Sequence, residues 1–185
     1  MPPKVKVTKE EIVKAGIEII RKDGEVSINA RSIASYLNCS TQPIFSNFAT
    51  MEELQNEIMT YAHNMYLSYL EEETKKNQYT KYKSFGMAYI RFAKEEKNLF
   101  KMLFMCDRKG KELPSTADFD ESVKTIMETS GLSKEKATLM HLEMWTFVHG
   151  IASMIATSFL EFDTELISKM TSDVYNGIRK HHLGE

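Results

Sequence analysis

Between residues 29 and 48 the chain reads NARSIASYLNCSTQPIFSNF, and the spacing inside that stretch limits the fold more than any other feature. Ala30, Ile33, Ala34 and Leu37 fall at i, i+3, i+4 and i+7, which is one face of a short helix. Asn29 stands where an N-cap is wanted. Asn38 follows the last apolar residue, where helices end on a left-handed residue and asparagine tolerates that conformation. After a tight turn, Ile44 and Phe48 lie four apart on a second short helix. Its start has two readings. Either Ser40 is the cap and Pro43 the third helical residue, or Gln42 is the cap and Pro43 opens the helix. The bias of a pre-proline residue away from helix favours the second.

Two short helices joined by a tight turn form a helix-turn-helix, whose second helix lies in the DNA major groove while the first crosses the backbone. Thr41, Gln42, Ser46 and Asn47 lie off the Ile44/Phe48 face and carry groups that can meet base edges or phosphates. Thr41 and Gln42 are expected at base edges, and Ser46 and Asn47 at phosphates. Asn29, Arg31, Ser40 and Phe45 complete the expected DNA-contacting set. The plainer alternative is a helical hairpin whose polar residues are merely solvated.

The chain has a net charge of −2, so it is not basic as a whole. Residues 1–50 nevertheless carry seven Lys/Arg against five Asp/Glu, and the remainder seventeen against twenty-one. The asymmetry is mild, and its positive sign at the helix-turn-helix end fits DNA contact. Lys4 and Lys6 make a short basic arm, expected to be a loose tail more often than a phosphate contact.

The rest reads as helix throughout. Four prolines and eight glycines in 185 residues leave room for long helices, and no strand alternation or repeat interrupts them. Thr8 with Glu11 forms a capping box, and Asp23-Gly24 closes that first helix. It is expected to close a small core with Ile28, Ile33, Leu37, Ile44 and Phe48. Thr50 with Glu53 opens a helix of about 26 residues to Lys75, roughly 39 Å long. Further helices are expected from Thr80 to Lys94, around Leu99–Phe104, from Phe119 to Thr129, from Ser133 to about Phe162, and from Asp163 or Thr164 onward. Asp107 to Ala117 reads as a loop.

Composition narrows the function further. No apolar run is long enough to span a membrane, and MPPKVKV lacks a signal-peptide core, so a cytoplasmic protein is expected. Cys39 and Cys106 are isolated, outside any CxxC or metal-ligand pattern. The histidines form no HExxH, and no phosphate-cradling glycine loop or nucleophile elbow is present. Neither catalysis nor a cofactor is expected. Eleven of the twelve methionines follow residue 50 and are accompanied by many aromatics. Such residues suit a pocket for apolar ligands, although each is more simply an ordinary core residue.

Thr8 to about Leu54 resembles the DNA-binding domain of TetR-family transcription regulators. The resemblance is carried by Ile33-Ala34, Ser40, Phe45, Asn47, Phe48, Met51 and Leu54. Three of these depart from the common pattern: Phe45 replaces a tyrosine, Asn47 a histidine and Met51 a lysine, all of which usually hold phosphates. The segment WTFVHG, Trp145 to Gly150, resembles the Trp-His-Gly (WHG) class of TetR C-terminal domains.

The resemblance implies an all-α protein with a three-helix helix-turn-helix domain at residues 1–49 and a helical ligand-binding and dimerisation domain at 50–185. It implies a small-molecule effector held by Met65, Phe85, Tyr89, Phe104, Trp145 and His149. It places the homodimer contact on the small-residue face Gly150, Ala152, Ser153, Ala156 and Thr157 together with the last helix. The expected function is a ligand-responsive repressor binding palindromic double-stranded DNA. The alternative is a helical small-molecule sensor with weak or lost DNA binding.

Overall fold

The computed structural model describes residues 7–107 and 117–184. Among these it contains nine α-helices, one 3-10 turn at Glu25–Ser27 and no strand. Lys4, Lys6 and the loop expected between Asp107 and Ala117 lie outside the described residues. The helices are α1 (Lys9–Asp23), α2 (Ala30–Tyr36), α3 (Gln42–Asn47), α4 (Met51–Lys75), α5 (Lys81–Glu95), α6 (Lys97–Phe104), α7 (Ala117–Ser130), α8 (Lys134–Ala156) and α9 (Thr164–Leu183).

Most helix ends follow from local chemistry. Thr8 and Glu11 form the expected reciprocal box at α1, and Gly24 ends that helix at φ 82°. Asn29 caps α2 by accepting from the Arg31 and Ser32 amides. Asn38 then takes φ 51°, while the Cys39 amide reaches back to the Ala34 carbonyl and the Asn38 amide to Ser35. This is a Schellman stop built on asparagine. At α4 the Thr50 hydroxyl accepts from the Glu53 amide, but the Glu53 carboxylate takes the Ala49 amide at 2.7 Å rather than that of Thr50. The box therefore closes one residue further back than expected.

Two expected boundaries are corrected. Helix α3 begins at Gln42 with Thr41 as its cap, so Pro43 is the second helical residue and neither Ser40 nor Gln42 is the cap. Thr41 is already helical, at φ −72° and ψ −14°, which holds Gln42 in the turn despite the proline after it. Pro43 still costs nothing there, since its missing N–H would have had no helical partner. Helix α8 stops at Ala156, six residues short of Phe162. Ser158 adopts φ 57°, and the Ser158 and Phe159 amides bond the Ile155 and Met154 carbonyls. This second Schellman stop uses a serine, so no glycine announces it.

The described residues fall into two compact units. One comprises those of Met1–Tyr66 and Glu96–Cys106, the other those of Leu67–Glu95 and Asp107–Glu185. Helix α4 contributes to both units, and α6 belongs with the first. The first unit packs α1 against α2, α3 and α6. Its core includes Ile12, Ile17, Ile20, Ile33, Ile44, Phe48, Leu54 and Ile58, all essentially inaccessible, while Leu37 is only half-buried. Gly16 is needed where α1 meets α4, because a Cβ there would lie 2.4 Å from Ile58 Cδ1. Arg21 fastens α6 to α1 through a two-pronged contact with Glu96, at 2.6 and 2.9 Å.

In the second unit α5, α7 and α9 surround α8. Val123, Ile126, Leu132, Ala137 and Met140 form a buried cluster, with Tyr82, Phe119, Tyr175 and Ile178 against it. Beside it the His141 ring meets Phe119 edge-on, and its Nδ1 lies 2.9 Å from the Tyr82 hydroxyl. The C-terminal end of α9 is pinned to α8 where His182 Nε2 lies 2.8 Å from Glu143.

Candidate nucleic-acid interface

The helix-turn-helix sits on the first unit with Ile33, Ala34, Ile44 and Phe48 turned inward. What remains outside is decided by which polar side chains the fold has already used. Asn29 spends its oxygen on the Arg31 and Ser32 amides, so it serves as an N-cap. Ser46 donates its hydroxyl proton to the Gln42 carbonyl at 2.8 Å. Asn47 donates its amide protons to the Pro43 carbonyl at 2.8 Å and the Val7 carbonyl at 3.2 Å. A phosphate diester accepts but cannot donate, and the Asn47 amide has no third proton to give. The structure thus ties Asn47 to the chain ahead of α1.

The other expected residues are uncommitted. Arg31, Ser40 and Gln42 are exposed, Thr41 is half-buried, and none of these side chains has a hydrogen-bond or ionic partner among the described residues. Phe45 is 52% exposed. Gln42, Phe45 and Ser46 therefore make the outward face of α3, at i, i+3 and i+4. One candidate escaped the sequence reading. Tyr36 ends α2 and is 53% exposed. Its one signal was a large aromatic off the apolar face defined by Ala30, Ile33, Ala34 and Leu37.

The start of α4 is acidic. Glu52 and Glu53 lie in its first turn, next to Met51. The Ala49 amide, and after it Lys9, hold the Glu53 carboxyl below the usual carboxylate range. Lys9 lies 3.3 Å from Glu53 and 4.8 Å above the centre of the Phe48 ring. The protein's own carboxylate thus occupies the helix N-terminus, a position that elsewhere favours phosphate.

The six residues expected around an effector are divided between the units. Met65 and Phe104 belong to the first, where the Phe104 ring lies edge-on to Tyr66 at 5.2 Å. Phe85, Tyr89, Trp145 and His149 belong to the second. Three of these four come together. The Tyr89 hydroxyl, on α5, lies 2.8 Å from His149 Nδ1, and the His149 ring stacks on Trp145 at 5.2 Å and 24°. Burial pushes the His149 imidazole below its ordinary value, which keeps it neutral near pH 7. Phe85 is half-buried on the same helix as Tyr89.

The small-residue face of α8 splits. Ala152 and Ala156 are buried within the chain, Ser153 is half-buried and Thr157 exposed, and nothing lies within 4 Å of a Cβ built on Gly150. Leu139, Trp145, Phe159, Leu160 and Leu166 expose apolar surface on α8, α9 and the segment joining them. Among the described residues no helix is long and apolar enough to cross a membrane, and no group of three His, Cys, Asp or Glu could hold a metal ion.

Residues 82–172 match the family model of the tetracyclin repressor-like C-terminal domain. Two solved structures share the fold. One is a TetR-family protein from Vibrio parahaemolyticus, described as a candidate transcriptional regulator. It is 14% identical at a TM-score of 0.64, over 90% of this chain and 96% of that one. The other, from Rhodococcus sp. RHA1 and described as of unknown function, is 15% identical at a TM-score of 0.73, over 98% of each chain. Among curated proteins none matches.

Proposed function

We infer that this chain, which carries a tetracyclin repressor-like C-terminal domain and has the fold of TetR-family regulators, binds operator DNA as a homodimer and is released by a small apolar or amphipathic molecule. The observation that carries the reading is the outward surface of the helix-turn-helix. Arg31, Ser40, Thr41 and Gln42 hold donors and acceptors that the fold leaves unspent. Thr41 and Gln42 meet base edges in this reading. Arg31, Ser40 and the Tyr36 phenol meet phosphates. Tyr36 would supply a phenol that Phe45 lacks. Ser46 has already given its hydroxyl proton to the Gln42 carbonyl, and Asn47 holds the reading helix in place rather than touching DNA.

The effector reading rests on the Tyr89–His149–Trp145 group, where a neutral imidazole and a phenol stand beside a partly exposed indole. The dimer reading rests on the exposed leucines and Phe159 of α8, α9 and their junction, with Gly150 leaving room for a close helix from a second copy. A location in the cytoplasm accords with both. Helix α4, about 37 Å of unbroken helix shared by the two units, is the natural carrier of a signal. Tilting it by about 5° moves its end by about 3 Å, enough to disturb two reading helices matched to the DNA repeat. An effector achieves this only by binding the tilted state better than the DNA-bound state.

Selection of duplex DNA from a random pool by the full chain tests the reading. A palindromic consensus is expected, and recovery of no enriched sequence refutes it. The acidic start of α4 favours a second reading, a helical sensor with weak DNA contact. A gel shift on the region upstream of its own coding sequence, negative while small apolar molecules still bind, would favour that sensor.

A further inference from the structure

Phe45 is the odd residue on the outward face of α3. The core of that helix is complete without it, since Ile44 and Phe48 are 0% and 1% exposed. Phe45 itself is 52% exposed, on the face of α3 that also carries Gln42 and Ser46. A phenyl ring has no hydrogen-bonding group to offer a phosphate. Set against a base donor or acceptor, it would strip water from that group and return nothing. Base edges in the major groove present one apolar feature, the C5 methyl of thymine, and phenylalanine is among the side chains able to contact it.

We propose that Phe45 is a specificity residue that selects thymine in each half-site by contact with its C5 methyl group. The proposal rests on the DNA-binding reading above and deepens it. Gln42, one turn earlier on the same face, suits adenine through its paired donor and acceptor, so the selected thymine adjoins the base pair that Gln42 reads.

The test uses the full chain and an operator selected from random duplex DNA. Each thymine in turn is replaced by deoxyuridine, which removes the methyl and keeps every hydrogen-bonding group. One symmetry-related thymine is expected to matter, with binding weakened about fourfold per half-site for one lost methyl. Phe45→Ala should bind thymine and uracil alike at that position, and Phe45→Leu should retain part of the preference. With cytosine at that position, 5-methylcytosine should restore part of the binding in the unaltered protein and none in Phe45→Ala. The uracil series needs no variant, so it stands even if Phe45→Ala folds poorly. If uracil is tolerated at every thymine, the proposal is overturned and the regulator reading survives. If Phe45→Ala keeps the uracil sensitivity, another residue reads the methyl and the assignment is wrong. If the pool yields no enriched sequence, the regulator reading falls and this proposal with it.

Discussion

Acidification should weaken the second unit through His141 in particular. This imidazole is 8% exposed, and burial holds its pKa down at about 4, with Asp118 pulling weakly the other way. The unfolded chain accepts a proton near pH 6.5, which the folded core refuses until about pH 4. The contribution of the buried neutral ring is therefore complete above pH 6.5 and is lost as pH falls toward 4. Each pH unit in that window is worth about 1.4 kcal/mol, which makes about 3 kcal/mol in all. That is a large part of the stability of an ordinary domain. The phenol of Tyr82 stays protonated, because burial pushes it well above its usual range. It can donate to Nδ1 of the neutral ring. His141→Gln keeps a hydrogen-bonding group and removes the titration. Urea unfolding followed by helix ellipticity at pH 7 and pH 4, on both proteins, isolates the effect, since other titrating groups are shared. The unaltered protein should lose about 3 kcal/mol more than the variant over this range. Equal losses would refute the argument, and so would a His141 ring resonance titrating near pH 6.5.

Gly16→Ala should destabilise the first unit by about 1–3 kcal/mol, because the new methyl meets Ile58, despite alanine's better helix propensity; thermal unfolding reads it, and Ile58→Val in the same chain should recover part of the loss. Gln42→Ala should relax the selected consensus at one position of each half-site, whereas Asn47→Ala should weaken binding to all sequences and lower thermal stability without making the salt slope shallower. A shallower slope for Asn47→Ala would return that residue to the phosphates. Met51→Lys should steepen the log–log salt dependence of operator binding by about one unit per subunit, if a cation at that position meets a phosphate; an unaltered slope would place position 51 away from DNA. Once an effector is found, its affinity should fall when operator is present, by the factor it imposes on DNA binding. Equal affinities would exclude coupling.

The helices were legible wherever their ends carry their own chemistry. Thr8 with Glu11, Asn29, Asn38, Gly24 and Gly131 mark boundaries by a local hydrogen bond or a left-handed backbone, and those boundaries hold. Ser158 is left-handed too, but serine gives no such signal, so nothing in the sequence marks the end of α8 at Ala156. The start of α3 was missed because Thr41 is helical without a side-chain cap. Contacts distant in sequence were less legible still. The Val7 carbonyl that takes an Asn47 amide proton is 40 residues away, so no local pattern announces that bond. Helix α6 joins the first unit through Arg21 and Glu96, 75 residues apart, which no local pattern reports. Of the residues expected around an effector, Tyr89, Trp145 and His149 meet through contacts between α5 and α8 that no local pattern reports.

The helix-turn-helix separates two kinds of polar residue: Asn29 and Asn47 hold the fold together, while Arg31, Ser40, Thr41 and Gln42 hold nothing in it. Selection can act on the two groups independently. On the proposed function, a descendant could exchange the second group, one residue at a time, and drift toward a new target sequence while its melting temperature hardly moved. The first group would stay fixed through every such change, so on the proposed function the most constant polar positions of the motif would be those that never touch DNA.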